Sequence, residues 1–198
     1  MNIHKGREKG SLIQSIDDLI YICSVKSHQY VNGGLMVIFK MPSMKKREYD
    51  RLIEEEYICR IAFKGESHPY IAPFLYIFDG KFMYFLSTKY GRKVQYFKKD
   101  PYVTVEVEKY TPDLSNFAFV SIPGCLEEVQ DPEIKSIVRQ KFVDMIKRRN
   151  LSSNVLSAFG HLPDEPIDAL LTEERNNVWK LTGVNVRDIL GLKHSGNH

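Results

Sequence analysis

The chain has 198 residues, 43% of them hydrophobic and 27% charged, which is ordinary for a globular protein and enough for one domain with a sizeable core. A formal net charge of only +3 is too mild to make it a nucleic-acid binder without a concentrated basic patch. Its three cysteines, Cys23, Cys59 and Cys125, are far apart and odd in number, so they form neither a CxxC metal site nor a complete disulfide framework and point to a reducing cytoplasm.

No apolar run approaches membrane-spanning length, and residues 12–25 are interrupted by Asp17-Asp18, so the chain reads as soluble and unprocessed, with no membrane partner. Residues 1–35 are polar and weakly patterned apart from a helical signal over 15–23, and they end in the breaker Gly33-Gly34. Met36, Met41 and Met44 follow closely. The expectation is a weakly ordered extension or start-site artefact over residues 1–40 and a folded domain over 41–198. From Ser43, an N-cap residue type, the apolar positions Tyr49, Leu52, Ile53 and Tyr57 recur at helical spacing and predict a first helix.

Strand patterns then follow at 57–64, 70–78 and 81–86, joined by Gly65-Glu66-Ser67 and by Asp79-Gly80, and together they predict an antiparallel meander. Arg60 is a cation inside an apolar strand and needs a partner, which either a phosphate dianion or an acidic residue such as Glu106 supplies. The stretch 70–78 is apolar on both faces, with Tyr70, Ala72, Phe74, Tyr76 and Phe78 on one side and Ile71, Pro73, Leu75 and Ile77 on the other. Its second face therefore needs cover from a ligand or another subunit, and a dimer is inferred.

Residues 84–101 form a strand-to-helix corner. The strand runs into Ser87 and Thr88, and a helix starts near Gly91 and ends before Asp100-Pro101. The first amides of a helix lack intrahelical partners and carry the positive end of its dipole, so this start favours an anion, to which Thr88 adds a hydroxyl and Arg92 and Lys93 two cations. Adjacent helical residues diverge by about 100°, which lets Arg92 and Lys93 grip a phosphate from two sides. A solvated basic helix start is the plain alternative.

Beyond the corner, Val103, Val105 and Val107 alternate with Thr104, Glu106 and Glu108 in a strand over 102–109. A strand over 117–122 precedes Pro123-Gly124 and a continuation over 125–129. A helix opens at Asp131-Pro132-Glu133, with an apolar stripe of Ile134, Ile137, Val138, Phe142, Met145 and Ile146. Its other face, Lys135, Arg139, Lys147, Arg148 and Arg149, reads as solvated surface because no aromatic residues interleave it. An irregular helical stretch around 166–174 and a last strand over 177–186 close the chain. Many short strands with a few appended helices give a mainly β (α+β) class, a closed or nearly closed antiparallel barrel.

The order Arg60-Ile-Ala-Phe63, Pro69-Tyr-Ile-Ala-Pro73-Phe74, Tyr84-Phe-Leu-Ser-Thr, Gly91-Arg92-Lys93 and Asp100-Pro101, then Gly124 with Glu-Glu-Val-Gln-Asp-Pro-Glu and the closing Val178-Trp-Lys-Leu, resembles the split-barrel flavoproteins related to pyridoxamine 5'-phosphate oxidase. The resemblance covers nearly everything from about Glu48 to Gly191. It implies FMN bound at a homodimer interface. Arg60, Arg92 and Lys93 would hold the FMN phosphate, Thr88 and Ser87 would add hydroxyl contacts, and the backbone of Ile61, Ala62, Phe63, Pro73 and Phe74 would face the flavin ring.

Oxidases acting on the vitamin B6 phosphates carry a C-terminal Arg-rich segment that this chain lacks. The nitroimidazole-resistance-like subgroup shares the Val-Trp-Lys-Leu ending but commonly has His where this chain has Ser87. The implied function is an FMN-dependent oxidoreductase, not a true pyridoxamine 5'-phosphate oxidase, that moves electrons from a reduced nicotinamide to a small acceptor. A non-catalytic flavin- or haem-binding protein and a deazaflavin-dependent reductase are the alternatives, and no catalytic residue is assigned. His68, His161 and Tyr76 are candidate lining residues, although packing or surface is the commoner setting for each type.

Overall fold

The computed structural model describes residues 27–31, 34–38, 41–172 and 175–195, and the chain divides into two units, Met1–Pro42 and Ser43–His198. The helical signal over 15–23 lies outside the described residues. In the first unit, β1 (Ser27–Val31) and β2 (Gly34–Ile38) form an antiparallel ladder from Ser27↔Ile38 to Val31↔Gly34, a hairpin that the sequence pattern did not predict.

The second unit begins with α1 (Lys46–Glu55), where the Lys45 amide donates to Glu48 Oε2 at 2.7 Å and Tyr49, Leu52 and Ile53 turn inward. Strands β3 (Ile58–Phe63), β4 (Tyr70–Phe78) and β5 (Met83–Thr88) form the expected meander. Helix α2 (Arg92–Lys99) leads to β6 (Tyr102–Tyr110) and the long β7 (Asn116–Glu128). After α3 (Pro132–Arg148), a 3-10 turn at Ser153–Phe159 and the short α4 (Ala169–Thr172), the chain returns as β8 (Asn176–Thr182) and β9 (Leu190–Ser195).

Strands β6, β3, β4, β5, β8 and β7 are successive neighbours, and β6 also pairs with β7. The ring therefore closes as a six-stranded antiparallel barrel. Along its other edge β7 changes partner, from β9 at Asn116–Ser121 to β8 at Cys125–Glu128. The sequence suggested a break at Pro123-Gly124, but the strand runs through it. These residues sit where neither β9 nor β8 pairs, so a missing N–H costs no bond along that edge. Gly124 is required there because a Cβ would lie 2.8 Å from Leu181 Cδ1 and 2.9 Å from the Thr182 carbonyl oxygen.

The apolar residues form two clusters, one on each side of β5. Inside the barrel, Met83 and Phe85 join Ile61, Phe63, Phe74, Val103, Val105, Val107 and Trp179. Outside it, Tyr84 and Leu86 join Val138, Phe142, Val143, Ile146, Leu156 and Phe159 under α3. The double apolarity of β4 resolves into two causes. Ile77 is buried and Leu75 partly buried in the outer cluster, whereas Ile71 (60% exposed) and Pro73 are bare. This chain's own helix thus covers half of the face that the sequence reading assigned to a ligand or a second subunit.

Helix α3 also sits differently from the expected stripe. Ile134 and Ile137 are exposed, while Val143 and Arg139 are buried. Arg139, expected on the solvated face, is 5% exposed and donates from Nε to Asn176 Oδ1 and from Nη2 to the Asn176 carbonyl, both at 3.4 Å. A guanidinium aimed at β8 rotates the helix away from the purely apolar solution. No described helix is long and apolar enough to cross a membrane.

Candidate functional site

Strand β5 delivers Ser87 and Thr88 to the barrel's end, both buried. Gly91, at φ +97°, turns the chain from strand to helix in a conformation that residues with a Cβ rarely adopt. Its carbonyl accepts the first helical bonds, from the Val94 amide at 3.1 Å and the Gln95 amide at 3.3 Å, which leaves the preceding amides of Arg92 and Lys93 at the open helix start. Val94 packs into the barrel core, Phe97 lies 4.7 Å from the Trp179 ring centroid and Tyr96 stacks on Tyr70 at 5.2 Å. These three contacts lock α2 and fix the direction in which its N-terminus points.

Lys93 is the unusual residue of this corner. Its ammonium sits 5.2 Å from the centroid of the Phe74 ring, and burial pulls its pKa below the ordinary 10.5. Among the described residues neither Lys93 nor the exposed Arg92 has a carboxylate partner. A half-buried ammonium facing only a ring is undercompensated, and an anion at the helix start supplies what is missing. The donor set of helix amides, ammonium and guanidinium suits a phosphate group. The hydroxyls contribute less directly than expected, because Ser87 Oγ donates to the Thr88 carbonyl at 3.1 Å and Thr88 Oγ1 to the Tyr90 carbonyl at 2.8 Å.

Behind the corner the side chains are polar and buried. Thr88 pairs across the sheet with Asn176, which Arg139 holds, and Gly160 approaches the Thr88 methyl. His161, one of the candidate lining residues, has no side-chain exposure, and its Nδ1 lies 2.8 Å from Glu165 Oε2. Tyr76 is also buried and donates to the Ile53 carbonyl at 2.9 Å. His68 is exposed beside Ser67. None of the three lines the open cleft described next.

That cleft, about 860 Å³, lies along the outer side of β3, β6 and β7, where Ala62, Phe63, Lys64, Tyr102, Thr104, Pro123, Gly124, Cys125 and Thr182 meet. Its volume falls within the range of small-molecule sites, roughly 300–1,000 Å³. Ser87, Thr88, Arg92 and Lys93 do not line this cleft; behind its wall, inside the barrel, Phe63 packs near Phe74 at 6.4 Å, and Phe74 carries Lys93. Lys64 on the cleft rim pairs with Asp100, which ends α2, at 3.1 Å.

The candidate residues divide accordingly. Lys93 and Phe74 are brought together at the corner, and Ala62 and Phe63 reach the cleft. Ile61 is fully buried inside the barrel, so only its backbone can face a ligand. Arg60 and Pro73 are cross-strand partners on the exterior, both exposed. The Arg60 guanidinium is engaged by Glu108, two residues beyond its direct partner Glu106, so the ion-pair option is realised with a different acid. A period-two reading puts Glu106 and Glu108 on one face, but only the ladder decides which one Arg60 reaches. Thr104 and Cys125 carry no local signal and are brought to the cleft by register alone. Among the described residues no group of three or more His, Cys, Asp or Glu is placed to hold a metal ion.

Comparison with known proteins places this geometry. The chain is similar in structure to a FAD-binding protein of Mesorhizobium loti, with a TM-score of 0.54 and 16% identity over 79% of this chain and 100% of that one. It is similar also to a conserved hypothetical protein of Mycobacterium tuberculosis, with a TM-score of 0.54 and 20% identity over 76% and 86%. A third likeness is to the haem storage protein of Vibrio cholerae, with a TM-score of 0.51 and 15% identity over 76% and 96%. These likenesses establish the barrel fold. No curated protein matches the chain. The pyridoxamine 5'-phosphate oxidase family model matches residues 45–162, which hold the first five barrel strands, the strand-to-helix corner and most of the cleft, and the chain belongs to that family.

Proposed function

We propose that this protein binds FMN, with the phosphate at the start of α2 and the ring in the cleft beside β3, and that it works as an oxidoreductase. The observation that carries the reading is Lys93, half-buried without a carboxylate partner among the described residues, beside the open amides of the helix start. The FAD-binding neighbour of the same fold supports a flavin. When bound, the flavin supplies the redox chemistry, taking hydride from a reduced nicotinamide and passing electrons to a small acceptor such as a nitroaromatic or quinone.

The chain's own part is to bind, orient and exclude water. Arg92 and Lys93 neutralise the phosphate, the exposed Tyr102 gives the ring apolar surface, and Thr104 offers a hydroxyl at the cleft. The bare Ile71, Ile58 (50% exposed) and Pro73 on the outer face of β3 and β4 are the surface through which a second copy would complete the site.

The absorption spectrum of the purified protein, followed by chromatography of any released chromophore, is the test. A yellow protein that releases FMN is the expected result. A colourless protein that also refuses added FMN would overturn the reading, and released haem or deazaflavin would replace the chemistry while keeping the barrel.

A further inference from the structure

Of the three cations assigned to the phosphate, one is already occupied. Arg60 projects from the outer face of β3, and the β3–β6 ladder sets Glu106 directly across from it. Glu108, two residues further along β6 on the same face, accepts a hydrogen bond from Arg60 Nη1, with 45% of the arginine side chain and 22% of the glutamate exposed. Arg92 and Lys93 have no such acid among the described residues.

We propose that Glu108 tempers the affinity of the anion site: it holds the Arg60 guanidinium in the free protein, and a ligand phosphate must displace it to gain that guanidinium. The inference rests on the phosphate reading above. A guanidinium presents its donors as a planar fork that fits carboxylate and phosphate alike, so the two compete for the same face. A dianion draws the fork more strongly than a single carboxylate does, and the partly exposed pair is weak enough to be exchanged. A neutral flavin such as riboflavin has no group with which to displace Glu108. The carboxylate thus lowers phosphate-ligand affinity modestly and leaves neutral ligands untouched.

The experiment measures the affinities of FMN and riboflavin by quenching of flavin fluorescence, on the full chain carrying Glu108→Gln, Arg60→Ala or both. Glu108→Gln is expected to tighten FMN by about threefold, the scale of a partly exposed ion pair, and to leave riboflavin unchanged. In the Arg60→Ala background the tightening should vanish, because the competition needs the guanidinium. If Glu108→Gln leaves FMN affinity unchanged, or tightens FMN equally without Arg60, the proposal is overturned, since the second result would reflect general charge alone. Arg60→Ala with undiminished FMN affinity would remove Arg60 from the phosphate site and likewise overturn the proposal, whereas an unsubstituted chain that binds no FMN at all would refute the underlying reading. Thermal melting of each variant confirms that it is folded, and Glu108→Ala serves as a second variant expected to behave like Glu108→Gln.

Discussion

The ammonium of Lys93 lies 5.2 Å from the centre of the Phe74 ring, with no carboxylate among the described residues to balance it. The negative face of the ring offsets part of the cost of burying the charge. A site of this kind is poised for an anion, and replacing both cations at the helix start tests it. Arg92→Ala with Lys93→Ala is expected to weaken FMN by at least tenfold, from charge-assisted bonds worth roughly 1.5–3 kcal/mol each, while leaving the fold intact. Fluorescence titration and circular dichroism measure the two effects, and unchanged FMN affinity would take both residues out of the site.

The same lysine makes binding depend on pH. Burial lowers its pKa from 10.5, so the free protein loses this charge at a lower pH than an exposed lysine does. A bound phosphate favours the ammonium and raises the pKa again, so binding takes up a proton at alkaline pH. FMN affinity should therefore be full near neutrality and fall as pH rises through the lowered pKa. In Lys93→Met that fall should be absent. An alkaline profile identical in the two proteins would show that Lys93 does not face the phosphate.

The barrel interior makes a separate stability prediction. Trp179 has no exposed surface and touches Phe63, Phe74 and Phe97. Trp179→Ala should destabilise the protein by about 3–5 kcal/mol, measured by chemical denaturation followed with far-ultraviolet circular dichroism. A change below about 1 kcal/mol would mean that these rings are not the packed centre.

Arg139 tests the rotation of α3. Its guanidinium is buried and donates to Asn176, so Arg139→Ala should cost about 1.5–3 kcal/mol, the scale of hydrogen bonds from a charged donor. Lys135→Ala on the same helix should stay within about 0.5 kcal/mol. Equal effects of the two substitutions would return Arg139 to the surface, where the charge pattern alone had put it.

Much of this architecture was readable in the residues. Val103, Val105 and Val107 face the core as their alternation requires, and α2 begins after Gly91 and stops before Asp100-Pro101 because those residues fix its ends. Other features depend on neighbours distant in sequence. The continuity of β7 through Pro123 follows from a gap between β9 and β8, which no local pattern records. Strand β9 was missed because Leu190-Gly-Leu-Lys-His-Ser is short and weakly alternating, and it becomes a strand only by lying along β7. At the corner, residue types alone singled out Arg92 and Lys93, whereas the choice of Glu108 over Glu106 for Arg60 belongs to side-chain reach across a ladder.

The placement of β8 bears on how the ring is sealed in time. Strands β3, β4 and β5 are joined by short turns, and β6 and β7 by a brief loop, so these hairpins need little loop closure. Strand β8 comes last among the ring's members and must insert between β5 and β7, pairing Phe85 with Trp179 and Leu126 with Leu181. Contacts of such separation form late and slowly. The chain's single tryptophan lies on that closing strand, so its fluorescence reports the sealing of the barrel rather than the earlier collapse of the hairpins.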